Sequence, residues 1–415
     1  MVKVKAWGKV IAKIQEQDGL NYFSLSPNNK LDFSPIKLKE KGVSREFSTL
    51  LHQKGFPGLI SDSLPGVYGK QYLDEFFMKH FKTTPSYLET LQFLGENTMG
   101  ALTYEPELEK AKNIRKSLIF DASELYNETK KALQGEADFS VNEIIAMSNS
   151  AASGARPKAI VGFNPISKKM YIGVKNEALP KGFVHSIVKF DNLVYGDSLQ
   201  GISQKEKISQ TKGEYVYSLL AKKLGINMAQ TDLVESNGAT HFVTQRFDIK
   251  SNESTTQRLH MHSLSGLLHH NPAETSFGYQ NLLSVGDMLN IPYEDKEQFF
   301  KTMLFNLIFG NTDDHSRNFS YLMDSEGNWR GAPAYDLTFS TNKKHQMMFN
   351  YLNGHDETIK HILKFAQEYR IKSAKEMIDE MTEAKYSILR DWSVEYDLQE
   401  WYRAIIEKTG SVLRN

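Results

Sequence analysis

The stretch GNTDDHSRNFS, residues 310–320, and the shorter PAYDL, residues 333–337, decide how this chain is read. In front of the first, Phe299, Phe300, Met303, Leu304, Leu307 and Ile308 recur at i, i+1, i+4, i+5, i+8 and i+9, which predicts a buried helix with a broad apolar face. Gly310 and Asn311 end it. Behind it, Asn318, Phe319, Ser320, Tyr321 and Leu322 have the β-propensity of a short strand, so residues 313–318 form a loop fixed between two packed elements. A turn over residues 324–328 and the run 332–335 then carry Asp336 to where its carboxylate can approach Asn318.

Asp313 and Asn318 stand five apart, the separation of base and magnesium ligand in the D-x-x-x-x-N pattern of phosphotransferases. Phosphoryl transfer asks little covalent chemistry of a protein: one carboxylate to orient the attacking hydroxyl, and hard oxygen ligands to hold magnesium against a triphosphate. Asp313 offers the first; Asn318 and Asp336 offer the second. Read alone, the same residues also make a polar turn at a helix end, because Asp and Asn are common turn formers. No GxxxxGK[ST] occurs, which argues against a P-loop NTPase.

With 415 residues the chain is long enough for two or three domains and a large core. Only 12 residues are Pro and 24% are charged, which gives no sign of a long disordered segment. Lys and Arg total 50, as do Asp and Glu, and this neutrality argues against an autonomous nucleic-acid binder with a basic footprint. The absence of Cys excludes disulfides, thiolate metal sites and cysteine nucleophiles and suits a reducing compartment. Residues 1–17 lack the apolar run of a signal peptide, and no run approaches the length of a membrane span. These features predict a soluble cytoplasmic protein with no membrane partner.

Along the chain, strands are predicted at Val2, Val4 and Ala6 and at Val10, Ile11 and Ile14, with helical patterns over 45–53, 71–81 and 86–94. Residues 104–112 make a plausible boundary. Beyond it short strands and helices alternate, with strands predicted over 159–163, 170–174, 183–190 and 241–247. Residues 148–158 join a helix predicted over 141–147 to the first of these strands; their small residues let backbone amides approach a phosphate. Taken alone, with a single Gly, that segment also reads as a flexible linker.

Lys189 closes a strand of β-branched neighbours, where a lysine is commonly a solvated edge charge. Glu214 opens a helix predicted over 214–224, however, and the pair then matches a strand lysine held by a helix glutamate while it binds the α- and β-phosphates of ATP. Gln245, Arg246, Phe247 and Asp248 end a later strand and would form the hinge between two lobes, where adenine is met. His260, His262, His269 and His270 lack the spacing of a zinc site. His315 either braces the loop by hydrogen bonding or faces solvent.

Taken together, SGARPKA at 153–159, IVKF at 187–190, GEYVYSLLAKKLGI at 213–226, QRFD at 245–248, GNTDDHSRNFS at 310–320 and PAYDL at 333–337 resemble the HipA family of bacterial serine/threonine kinase toxins. Order and spacing hold over roughly residues 115–345, and the block before them resembles the small domain preceding the kinase core in full-length members. The resemblance implies Asp313 as catalytic aspartate, Asn318 and Asp336 as magnesium ligands, Lys189 as the ATP lysine, and Ser153, Gly154 and Ala155 as the phosphate loop. In the family that loop carries an autophosphorylated serine that switches the enzyme off. Here Ala151 stands at its position, and Ser148, Ser150 and Ser153 are the remaining candidates. A phosphoserine beside ATP phosphates would be strongly repelled.

The resemblance further implies ATP and Mg2+ as cofactors, a HipB-like helix-turn-helix antitoxin through which DNA is met only indirectly, and a protein substrate such as an aminoacyl-tRNA synthetase. The expected fold is α+β: a bilobal protein-kinase-like core behind a small N-terminal α/β subdomain, with boundaries at 1–110, 111–250 and 251–415. A small-molecule or lipid kinase is the alternative enzyme, and a catalytically weak co-repressor of a DNA-binding antitoxin the alternative outside enzymes.

Overall fold

The computed structural model describes residues 1–108, 118–133, 157–172, 179–191, 210–236, 238–251, 256–274, 277–341, 344–347 and 359–410. The helix predicted over 141–147 and the loop serines Ser148, Ser150 and Ser153, with Gly154 and Ala155, lie outside the described residues.

A five-stranded antiparallel sheet opens the chain, in the order Ser44–Glu46, Leu20–Leu25, Lys9–Gln17, Val2–Ala6, Leu102–Glu105. Val2, Val4 and Ala6 alternate inward, and a bulge opposite Val4 and Lys5 lets the adjacent Ile11 and Ala12 both face the core. The helical pattern over 45–53 is not realised. Residues 44–46 pair with Tyr22, Phe23 and Ser24 as the sheet edge, and only a 3-10 turn, Leu51–Gln53, follows. Leu51 is 82% exposed, so the apolar spacing had no face to bury. The helices Val67–Phe81 and Tyr87–Leu94 do form, the second behind a capping box in which Ser86 and Glu89 satisfy each other's backbone N–H.

The second sheet has six strands, in the order Thr231–Ser236, Ala239–Gln245, Val184–Lys189, Lys158–Phe163, Met170–Ile172, Leu118–Phe120. Lys189 pairs with Phe242 on one side and Lys158 on the other, which places it inside the sheet and not at an edge. The helix Gln210–Lys223 packs against it. Tyr72, Phe76 and Phe77 of the helix Val67–Phe81 share a core with Val161, Met170 and Val188, so the first block is fused to this lobe by apolar packing.

The third body is mainly helical. The helix Tyr293–Phe309 runs through its core, with Phe299, Phe300, Met303, Leu304, Leu307 and Ile308 all buried. It stops at Gly310, whose φ of +75° and whose position 2.9 Å from Thr409 Cγ2, measured from where a Cβ would stand, strain any other residue there. A three-stranded sheet, His260–Ser263, Ser320–Met323 and Trp329–Gly331, lies beside it. Residues 311–319 therefore run from a buried helix into a central strand.

The first block docks on this body through the short helices Gly58–Ser61 and Leu264–Leu268. They touch so closely that a Cβ on Gly58 would lie 2.1 Å from the carbonyl oxygen of Gly266. Beside that contact Asp62 accepts hydrogen bonds from the backbone N–H of Ser263 at 2.7 Å and its hydroxyl at 2.7 Å, and meets His262 Nδ1 at 2.6 Å, while His262 Nε2 meets Ser34 Oγ at 3.0 Å.

Burial pushes four imidazoles down: His241 to about 4, His185 to about 4 with Arg246 adding to the effect, His269 to about 4 and His260 to about 3, the last two with His262 adding to it. In the unfolded chain each titrates near about 6.5, so between that value and the folded one the unfolded state binds more protons. Stability is therefore full above about pH 6.5 and falls as the pH drops toward about 4. Urea midpoints measured at about pH 7.5 and about pH 5 are expected to differ, the acid one being lower, and equal midpoints would refute the argument.

Candidate active site

Lys189 leaves the central strand with its ammonium in an ion pair of 2.5 Å with Glu214 Oε1, and it also donates to Asp336 Oδ1. Side-chain exposure is 10% for Lys189 and 2% for Glu214, so the pair is enclosed. Burial alone would lower the lysine, but Asp336 and Glu214 outweigh it and hold the ammonium charged. Burial would likewise raise Asp336; Lys189, Lys158 and His315 instead drive it far below the usual carboxylate range. Asp336 itself adopts φ +53°, a left-handed conformation that an aspartate tolerates. The approach to it is fixed on both sides, since Ala332 N–H donates to Ser320 O at 2.9 Å and Ala334 N–H to Asn227 O at 2.8 Å.

The loop separates two adjacent carboxylates into different jobs. Asp314 is 0% exposed and fully engaged: Tyr279 OH donates to it at 2.6 Å, Gln346 N–H at 2.7 Å, and His345 Nδ1 lies 2.9 Å away. Asn306 Nδ2 donates to the Tyr279 oxygen at 3.1 Å and Asn311 Nδ2 to Asn306 Oδ1 at 2.9 Å, which extends the anchor into the long helix. Asp313 is half-buried, with one bond at 2.8 Å from Gln346 Nε2. Asn318 Nδ2 donates to the Asp313 backbone carbonyl at 2.9 Å, which leaves the Asn318 amide oxygen as a hard donor for a cation. Lys408, from the last helix, ties Thr312 Oγ1 at 2.7 Å and Gly310 O at 3.2 Å.

The hinge segment divides. Gln245 ends its strand with its N–H on Gln230 O at 2.8 Å, and the Phe247 ring lies 5.6 Å from that of Tyr335, next to Asp336. Asp248 corrects the sequence reading that put it at the nucleotide. Its carboxylate accepts from Arg246 Nη2 at 2.6 Å and Gly100 N–H at 2.7 Å, and its carbonyl from Leu259 N–H at 2.8 Å, so its side chain is spent on the junction with the N-terminal block. His315 does not brace the loop by its ring: Nδ1 has no hydrogen-bond partner, and its carbonyl accepts from Asn318 N–H at 2.8 Å. Among the described residues no group of three or more His, Cys, Asp or Glu could hold a metal ion. No described helix is long and apolar enough to cross a membrane.

Tyr335, Asp314, Gln346 and Lys158 also line or support the site. Asp314, Tyr335 and Lys158 stand inside the quoted motifs without having been singled out there; Gln346 arrives from a segment with no motif. The donor set suits a magnesium nucleotide: one ionised carboxylate and one amide oxygen leave further positions to water and phosphate, as this ion prefers.

Residues 150–389 match the family model described as HipA-like C-terminal domain. The serine/threonine-protein kinase toxin HipA of Shewanella oneidensis is 28% identical over 142 residues, 30% of this chain and 33% of that protein. Y4mE of Sinorhizobium fredii, which carries a kinase name, is 28% identical over 135 residues, 31% of this chain and 32% of its own length. The matched part thus spans about a third of these relatives. A solved complex of Shewanella oneidensis HipA with HipB and operator DNA contains a chain that superposes with a TM-score of 0.65 at 16% identity, over 99% of this chain and 97% of that one, which establishes the shared fold. With its family model covering residues 150–389, and with that fold, the chain belongs to the HipA family.

Proposed function

We propose that the protein is an ATP- and Mg2+-dependent serine/threonine-protein kinase and the toxin of a type II toxin–antitoxin pair. The observation that carries this reading is the enclosed Lys189, ion-paired to Glu214 and in contact with Asp336. A structural lysine has no need of two carboxylates, whereas a nucleotide site needs a lysine for phosphate and a carboxylate for metal in one place. Asp313, the partly exposed member of its pair, orients the attacking serine or threonine hydroxyl and receives its proton. Asn318 and Asp336 would hold magnesium, which neutralises charge on the phosphates when bound. Gln245 and Phe247 would meet adenine, and Ser153, Gly154 and Ala155 are assigned to the phosphates by the family resemblance alone.

The Shewanella relative was seen with HipB and operator DNA, which supports a HipB-like antitoxin here and DNA contact through it alone. A translation protein such as an aminoacyl-tRNA synthetase is the proposed substrate class. Incubation with γ-labelled ATP and a bacterial lysate is expected to label a protein band and, on the chain itself, one of Ser148, Ser150 and Ser153. Chelation of magnesium should abolish both signals. Label confined to a lipid or other small molecule would replace this reading with that of a small-molecule kinase, and no label at all would leave a binding role.

A further inference from the structure

We infer that the N-terminal block is a working part of the active site, acting through Arg317 as a positioning residue for Asp313 and Asn318. The inference rests on the kinase reading above. Arg317 lies inside the catalytic loop, in the 3-10 turn Ser316–Asn318. Its guanidinium Nη2 donates to the backbone carbonyl of His52 at 3.0 Å, a contact that spans 265 residues of sequence. From the other side its own carbonyl accepts from Tyr335 OH at 2.7 Å, and Tyr335 precedes Asp336. A carbonyl can only accept, so the Tyr335 hydroxyl spends its one proton on Arg317 O and the Ser320 hydroxyl 2.7 Å away donates to it. One residue thereby joins the N-terminal block, the loop and the metal-binding segment.

A second link runs in parallel. His52 Nε2 meets His269 O at 2.9 Å, the Ser265 hydroxyl donates to His270 O at 2.8 Å, and His270 Nδ1 meets Ser316 Oγ at 3.0 Å. Burial lowers the His270 ring from its ordinary value, which favours its neutral form. The acceptor on Arg317 is a main-chain carbonyl on the turn Leu51–Gln53, whose place is set by the Gly58–Gly266 contact and the Asp62 bonds to Ser263. A shift of the block must therefore move the arginine that shares a turn with Asn318, while Lys189 and Glu214 sit in another sheet and helix.

Steady-state kinetics and amide hydrogen exchange on the full chain test this. Arg317→Ala is expected to lower kcat by about tenfold to a hundredfold, the size of effect that a misplaced reacting group produces, with the ATP KM nearly unchanged. Arg317→Lys, which can still donate once to the His52 carbonyl, should recover much of the loss. Gly58→Ala, which lies in the N-terminal block and outside the loop, should reproduce the same split and should speed exchange of amides 312–319. Wild-type kcat in Arg317→Ala, or a loss lying wholly in the ATP KM, would overturn the inference. A wild-type protein that transfers no phosphate would sink the kinase reading instead, and the exchange comparison of wild type with Gly58→Ala would still decide whether block and loop are coupled.

Discussion

Asp313→Asn is expected to reduce phosphotransfer by about 10²–10⁴-fold while nucleotide binding stays close to wild type. The substitution keeps the shape of the side chain and an oxygen for the bond from Gln346 Nε2, but removes the group able to take the hydroxyl proton. It touches neither Lys189 nor Asp336, which carry the proposed phosphate and metal contacts. The adjacent Asp314 provides the control. Its carboxylate holds Tyr279, His345 and the backbone of Gln346, so Asp314→Asn should act first on stability, through unmet buried donors, and only then on rate. Single-turnover transfer and calorimetric nucleotide binding separate the two variants. Wild-type turnover in Asp313→Asn would show that the loop has been misassigned.

The second large effect belongs to Lys189→Met. Removing the ammonium strands two carboxylates, one of them Glu214 at 2% side-chain exposure, and breaking such a buried pair from one side destabilises by about 3–5 kcal/mol. Phosphotransfer should fall as well. The double variant Lys189→Met/Glu214→Gln should regain part of the stability, because a neutral amide no longer needs a cation, yet none of the activity. Urea unfolding with an unchanged m-value reads the first quantity and labelled transfer the second. A solvated edge charge would give almost no change in either, and that outcome would remove Lys189 from the site.

The sequence made legible whatever was written in local periodicity or in motif spacing. The helix Tyr293–Phe309 and its glycine stop follow from apolar spacing, as does the helix predicted over 86–94. The Lys189–Glu214 pair could be proposed because a strand and the helix after it are the two elements most certain to meet. Residues 45–53 misled because strand pairing with Tyr22–Ser24 outweighed a helical pattern that had no core to face. Asp248 misled for a different reason: its partners, Gly100 and Arg246, lie on two sides of a junction that a linear reading places far apart. Gln346, Tyr335 and Arg317 act through contacts between distant segments, and no local spacing encodes those.

The sealed ion pair at residues 246–248 has a mechanical meaning. Arg246 and Asp248, at 1% and 0% side-chain exposure, are clasped by Gly100 and Thr98 of the N-terminal block, and Arg258 grips the same two residues at 2.6 and 2.9 Å. A joint built this way resists flexing, because any rotation there draws charged groups out of their partners' reach in a dry interior. The block thus works as a brace across the joint, and stiffness at this point is a property of three segments together. Deleting residues 1–108 would remove this strut and, with Tyr72, Phe76 and Phe77, part of the second sheet's own core, so the brace and the lobe it steadies cannot be separated by truncation.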